Sequence, residues 1–271
     1  MSESDFLEIA DALAPGRDDL VTVIQAYFDE SYGPDGLLCV AGYVFTKAGA
    51  RGLTREWGHM LRRWKLPYFR MSACAHGNEP FDRLSADARD KVARAAIGMT
   101  VKYAAFGVAN TVNEHEFNAK VPDGDQIGNA RAYEFLTWNC LLGVRQYCDE
   151  ARFKGKVAYF FEAGHKSQTS ANNLMGRLFT VPTLRAEYRY AAHGFIGKED
   201  SIPIQTADLL AWQFYQDRRR EIAGKPRRKD MQALLNLQCI VRHVDVDRHA
   251  QAVRDTMAEI AASDAASRSS P

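Results

Sequence analysis

Three carboxylates stand out in this chain because each one ends or interrupts an apolar run. Asp29 follows VTVIQAYF, Glu162 closes KVAYFFE, and Asp208 lies within PIQTADLLAWQFYQ. In that last segment Ile204, Ala207, Ala211, Phe214 and Tyr215 recur at helical spacing, and Asp208 falls inside the stripe they define. A carboxylate aimed at a core is costly to ionise unless it is paired or bound to a metal. Hard divalent cations such as Mg²⁺ or Mn²⁺ take oxygen ligands, and acids brought together from separate rigid elements would suit them. Two such ions held roughly 3.5–4 Å apart clamp the attacking and leaving oxygens of a phosphodiester displacement.

Each acid also has a plainer reading. Asp29 precedes the Gly33-Pro34-Asp35-Gly36 turn and suits a turn-initiating aspartate. Glu162 suits a rim carboxylate paired with Lys166 or Arg177. Asp208 suits a partner for a buried arginine or a tyrosine hydroxyl. Alternation along a strand sets Asp29 on the face of Tyr27 and Gln25 and sends Glu30 to the face of Phe28, which leaves Glu30 as a reserve ligand. Gln205, three residues before Asp208, is placed to support a ligand or a backbone group. His165 and Lys166 follow Glu162 closely, as candidates for phosphate contact, and Asp200 is a candidate outer ligand. Ser201 fits a helix N-cap beside Pro203.

The elements that must position these groups follow from pattern. The run 21–28 reads as a strand ending at Asp29-Glu30-Ser31, with Leu37 to Phe45 as its hairpin partner. Helices are expected over 47–64, 85–100, 130–151, 168–180, 203–223 and 247–262, and strands over 101–109, 156–162, 190–196 and 239–244. Residues 66–81 and 110–130 read as loop and turn-rich connection. Strands followed by strands alternating with helices indicate a mixed α/β sheet. The organisation reads as an N-terminal arm over 1–20, a main domain over 21–223, an extension over 224–262 packing on it, and a disordered tail over 263–271.

Bulk composition narrows the function classes. Net charge is +1, so nucleic-acid binding needs a local patch, and Arg218, Arg219, Arg220, Arg227 and Arg228 supply the candidate just past the Asp208 helix. No apolar run reaches membrane-span length, and the acidic, mixed N-terminus lacks the features of a secretory signal. Cys39, Cys74, Cys140, Cys148 and Cys239 show no zinc or C-x-x-C spacing and read as reduced core residues of a cytoplasmic protein. The four tryptophans sit in helical patterns and read as core.

The ordered set Tyr27-Phe28-Asp29-Glu30-Ser31, Tyr159-Phe160-Phe161-Glu162 and Asp200-Ser201 followed by Gln205-Thr206-Ala207-Asp208-Leu209-Leu210 resembles the domain of unknown function 3800 family. That family is considered similar to the ribonuclease H-like nucleases and transposases. The resemblance spans about residues 21–220. It implies a ribonuclease H-like mixed β-sheet flanked by helices, with Asp29 as first-strand acid, Glu162 as middle-strand acid and Asp208 as C-terminal-helix acid. Two departures stand out: Tyr32 precedes Gly33 where the family often has Gly, and Glu162 replaces a frequent Asp. The expected function is a Mg²⁺- or Mn²⁺-dependent nuclease or related phosphoryl-transfer enzyme acting on DNA or RNA. The alternative is a non-catalytic nucleic-acid- or protein-binding module of a defence or mobile-element system.

Overall fold

The computed structural model describes residues 22–122 and 131–269, so the expected arm over 1–20 lies outside the described residues. Strand β1 (Val23–Tyr32) turns through Gly33–Gly36 into β2 (Leu37–Phe45). Gly36 closes that turn, with its N–H donating to Gly33 O at 3.1 Å and its φ at 75°, a left-handed conformation that glycine adopts without strain. The helices α1 (Lys47–Trp64), α2 (Met71–His76) and α3 (Ala86–Tyr103) follow, then β3 (Phe106–Asn113) and α4 (Glu114–Lys120). Next come α5 (Ala132–Glu150), β4 (Lys156–Glu162), α6 (Gln168–Leu178), α7 (Pro182–Glu187) and β5 (Tyr190–Ile196). The chain then runs through α8 (Ile202–Ile222), α9 (Lys229–Leu234), β6 (Cys239–His243) and α10 (Val246–Ser269).

The strands form one six-stranded sheet in the order β5-β4-β1-β2-β3-β6. β2 is antiparallel to β1 and β3, whereas β4 runs parallel to β1, β5 to β4 and β6 to β3. The sheet is therefore mixed, as its pattern of consecutive strands followed by alternation predicts. Alternation splits its side chains into two cores. Tyr27, Cys39 and Tyr43 face Leu53 and Trp57 of α1 and Ile204, Leu210 and Ala211 of α8. Phe28, Val40 and Val108 face Leu136, Cys140 and Val144 of α5.

Several expected boundaries move. β1 does not stop at Asp29 but continues through Tyr32, because Asp29 to Tyr32 pair with Ala41 to Leu38 of β2. The expected strand over 101–109 begins later. Val101-Lys102-Tyr103 instead completes α3, where Lys102 Nζ lies 2.7 Å from Glu56 and the Tyr103 hydroxyl bonds the same carboxylate. Those contacts tie the last turn of α3 to α1. The supposed loop over 66–81 contains α2, and the connection over 110–130 begins with the end of β3 and then α4. Helix α10 runs on through Ser269, past the helix end expected at 262. No helix among the described residues is long and apolar enough to cross a membrane. The five cysteines are free, and four of them are buried.

Candidate metal centre

The sheet pairing brings two of the acids together. Register aligns Phe28 of β1 with Phe161 of β4, so the next residues, Asp29 and Glu162, lie side by side just past the point where the pairing of these parallel strands ends. From β1 the chain passes to β2 on one side, while from β4 it passes to β5 on the other. Ligand crevices in open α/β sheets form at such a reversal, outside the strand ends.

Helix α8 crosses the same region on the face of Tyr27. Every position from Pro203 to Tyr215 is buried, the polar Gln205, Thr206, Asp208 and Gln213 included. Asp208 is thus enclosed by a helix buried all round, not by a single apolar stripe. Its Oδ2 accepts a hydrogen bond from the backbone N–H of Met71 at the start of α2. This anchors one oxygen and leaves Oδ1 for the centre of the site.

That centre holds a residue the sequence does not advertise. Lys198, in the turn between β5 and α8, places Nζ 3.0 Å from Asp29 Oδ2 and 3.1 Å from Asp208 Oδ1, and it donates a hydrogen bond to Glu162 Oε1. The three acids therefore converge on one ammonium. Among the described residues Asp208 meets neither an arginine nor a tyrosine hydroxyl, and the ion partner found for Glu162 is Lys198, not Lys166. The side chain of Lys198 is 10% exposed, that of Asp29 fully buried and that of Glu162 18% exposed, so Glu162 stands nearest to solvent. Asp29 Oδ1 accepts from the Glu30 N–H at 2.7 Å, whereas buried Oδ2 has no hydrogen-bond partner and relies on the charge of Lys198.

Gln205 holds the frame of this site. Its Oε1 accepts from Trp57 Nε1 at 2.8 Å and from the Phe69 N–H at 3.0 Å, while Nε2 donates to Lys198 O at 2.8 Å. One amide joins α1, the segment before α2 and the turn that carries the lysine.

Glu30 lies closer than strand alternation suggests. One carboxylate oxygen each from Asp29, Glu30 and Glu162 lie within 4.8 Å of one another. Pairing between β1 and β4 stops at Phe28 and Phe161, one residue before Asp29 and Glu162, and the Glu30 carboxylate lies within reach of both.

Electrostatics follows from that crowding. Burial pushes the Asp29 carboxyl well above the usual carboxylate range, with Lys198 opposing and Glu162 and Asp208 reinforcing. Burial likewise raises Asp208, against Lys198 and the Met71 N–H. Burial also pushes Glu30 up to about 7, helped by the charge of Glu162. For Glu162 burial acts in the same sense, but contact with Asp29 and the charges of Lys198 and Arg70 outweigh it and hold the group below its ordinary value. The Lys198 ammonium is held charged: burial disfavours it, yet the charges of Asp29, Asp208 and Glu162 prevail and raise its pKa.

Other expected site residues lie apart from these acids. Lys166 is mostly exposed, 3.5 Å from Glu114 Oε1. The His165 ring stacks on Tyr133 at 3.9 Å, and its Nδ1 accepts from the Ser167 N–H. Asp200 is exposed in a turn closed by its N–H to Gly197 O at 3.1 Å. Ser201 occupies the N-cap position of α8, but its hydroxyl makes no capping bond.

The arginines past α8 are engaged locally. Arg218 meets Glu221 at 2.6 Å, Arg219 meets Asp35 at 2.7 Å, and Arg227 meets the buried Asp217 at 2.8 Å. Arg220 Nε donates to Pro226 O at 2.8 Å. Arg228 pairs with Asp230 and lies 5.1 Å over the Trp212 ring.

No protein-family model and no curated protein sequence matches the chain. Among solved structures it is similar to a point mutant of Bst-RNase HIII, with a TM-score of 0.40 and 11% identity, over 93% of this chain and 81% of that one. So remote a likeness transfers neither residues nor activity. The molecule is a mixed α/β protein in class, its six-stranded sheet flanked by helices and its acids gathered where the strand order reverses.

Proposed function

We propose that this chain is a divalent-metal-dependent nuclease or related phosphoryl-transfer enzyme of the family resembled in the sequence, with Asp29, Glu162 and Asp208 as metal ligands. The single observation that carries this reading is the convergence of three carboxylates, from two strands and a helix, on one buried cation. An all-oxygen donor set with excess negative charge fits a hard ion such as Mg²⁺ or Mn²⁺, and the Lys198 ammonium stands where positive charge is wanted.

A bound divalent ion would supply Lewis acidity and a water of lowered pKa. The chain's own residues supply the rest. Asp29 and Asp208 each have one oxygen fixed by a backbone N–H and the other turned inward. Glu162, the most exposed of the three acids, would be the first that an arriving phosphodiester meets, with Glu30 as a fourth carboxylate beside it. Gln205 keeps α1, α8 and the Lys198 turn in register. DNA or RNA is the substrate class, and the arginine segment would contact its backbone by exchanging its present partners for phosphates.

The test is cleavage of labelled DNA and RNA with Mg²⁺ or Mn²⁺ by wild type and Asp208→Asn. A metal-dependent activity that falls by about a hundredfold or more in the variant is expected. No cleavage with either metal, or equal cleavage by the variant, removes the catalytic reading. A second reading, a non-catalytic binding module, is favoured by one observation: Lys198 already neutralises part of the acid cluster. It predicts salt-dependent nucleic-acid or partner binding that survives Asp29→Asn and Asp208→Asn together.

A further inference from the structure

The lysine at the centre has a consequence of its own for how the acids meet a metal. We propose that Lys198 is a tethered internal cation which a divalent ion must displace, so that its ammonium sets the metal threshold of the acid site. The proposal rests on the metal-binding reading above and adds a means of regulating it.

Three features carry the proposal. The ammonium touches all three acids at once, and its side chain is nine-tenths buried, so it occupies the space where positive charge is most stabilised. Its backbone is held: Gln205 Nε2 bonds Lys198 O, and the turn is closed by Asp200 N–H to Gly197 O. The flexible four-carbon stem can nevertheless withdraw without disturbing the sheet or α8. Finally, the charges do not balance. Three carboxylates surround one ammonium, and Asp29 Oδ2 receives no hydrogen bond from it. A single positive charge leaves the cluster negative.

Competition follows from these features. A monovalent ion entering the site would exchange one positive charge for another and lose the tether, with no electrostatic gain. A divalent ion brings a second charge and additional oxygen coordination, which offset the expulsion of the lysine. The tether thus favours divalent over monovalent cations and keeps the acids paired when divalent metal is scarce.

The experiment is calorimetric titration of MnCl₂ into the full-length wild type, Lys198→Met and Lys198→Arg. Lys198→Met is expected to bind Mn²⁺ at least about tenfold more tightly than wild type, and Lys198→Arg no more tightly than wild type. In parallel, selectively labelled lysine methylenes are followed by NMR in wild type, with the Lys198 signal assigned by its loss in Lys198→Arg. That signal is expected to move as MgCl₂ is added, a readout that survives even if Lys198→Met does not fold. Equal or weaker Mn²⁺ binding by Lys198→Met, or an unmoved Lys198 signal while Mg²⁺ binds, overturns the competition and leaves the metal site standing. Absence of metal binding in all three proteins overturns the competition and the metal reading together.

Discussion

The acid cluster around Lys198 and the arginine segment after α8 both consist of ion pairs, yet their charge is arranged in opposite ways. In the cluster three carboxylates share one ammonium in a nearly closed space. In the segment Arg218, Arg219, Arg227 and Arg228 each have a carboxylate of their own, three of those carboxylates at or near the surface. Matched surface pairs contribute little to stability, and a phosphate reaching them must first displace their carboxylates. A buried cluster with one sign in excess is expensive to keep and gains from any further cation. Surplus charge marks the acid site as the place where a ligand would change the energy most. The basic segment, which looks equally charged in sequence, is largely neutralised by its own neighbours.

The sharpest way to break this contrast is to remove the shared cation. Lys198→Met, in the presence of a chelator, should lower stability by about 3 kcal/mol, because the buried carboxylates lose the ammonium they share. Adding Asp208→Asn to Lys198→Met should recover part of that loss, a coupling that denaturant unfolding of the four proteins in a double-mutant cycle measures. Additive losses would mean that the lysine and the aspartate do not act on each other. The cluster would then be no more than a set of independent pairs.

How much of this contrast was legible beforehand differs between its parts. Leu37 to Phe45, Lys156 to Glu162 and Tyr190 to Ile196 were readable as strands because each is a compact apolar or β-branched run. Asp29, Glu162 and Asp208 were readable as candidates because acids at the ends or in the middle of such runs are costly. Their meeting was not readable, since it depends on β1 pairing with β4 in a register that aligns Phe28 with Phe161. Lys198 carried no signal, because it falls between two elements, in Gly197-Lys198-Glu199-Asp200, where lysine is ordinarily solvated. Helix α2, whose Met71 N–H anchors Asp208, is six residues long and too short for periodicity to show. Alternation sends Glu30 to the face of Phe28 and gives no hint that the β1–β4 pairing ends one residue before Asp29, where the Glu30 carboxylate comes within reach of Asp29 and Glu162. The arginines read as a candidate patch because sequence shows their number and not Asp35, a residue distant in the chain that pairs with Arg219.

Within the basic segment the same logic ranks the arginines. Asp217 is 4% exposed and Arg227 is its ion partner, so Arg227→Ala should cost about 1–2 kcal/mol. Arg219→Ala, which removes a pair with both side chains substantially exposed, should cost below about 1 kcal/mol. Chemical denaturation of both variants tests the order. If Arg219→Ala proves the more damaging, burial of the partner carboxylate is not what distinguishes these pairs.

The smallest expected effect concerns His243, which sits where the segment meets the sheet. Its Nδ1 lies 2.6 Å from Thr111 Oγ1, its ring stacks on Phe214, and its Nε2 lies 3.7 Å from Glu221, the acid that also holds Arg218. Burial holds its pKa below the ordinary value of 6.5, and Arg218 and Arg227 push the same way, while Glu221 and Asp217 oppose them. A histidine with a depressed folded pKa contributes stability that is present above its unfolded value and is lost as pH falls, because the unfolded chain then binds the proton more readily. Stability should therefore decline as pH drops below about 6.5, and His243→Asn should flatten that part of the profile. Arg218→Ala should shallow the slope, since it removes one of the positive charges that keep the ring neutral. A slope unchanged by Arg218→Ala would mean that the arginine's charge is fully cancelled by Glu221 even at this distance. The pairing in this segment would then be tighter than its surface exposure implies, and its difference from the Lys198 cluster correspondingly sharper.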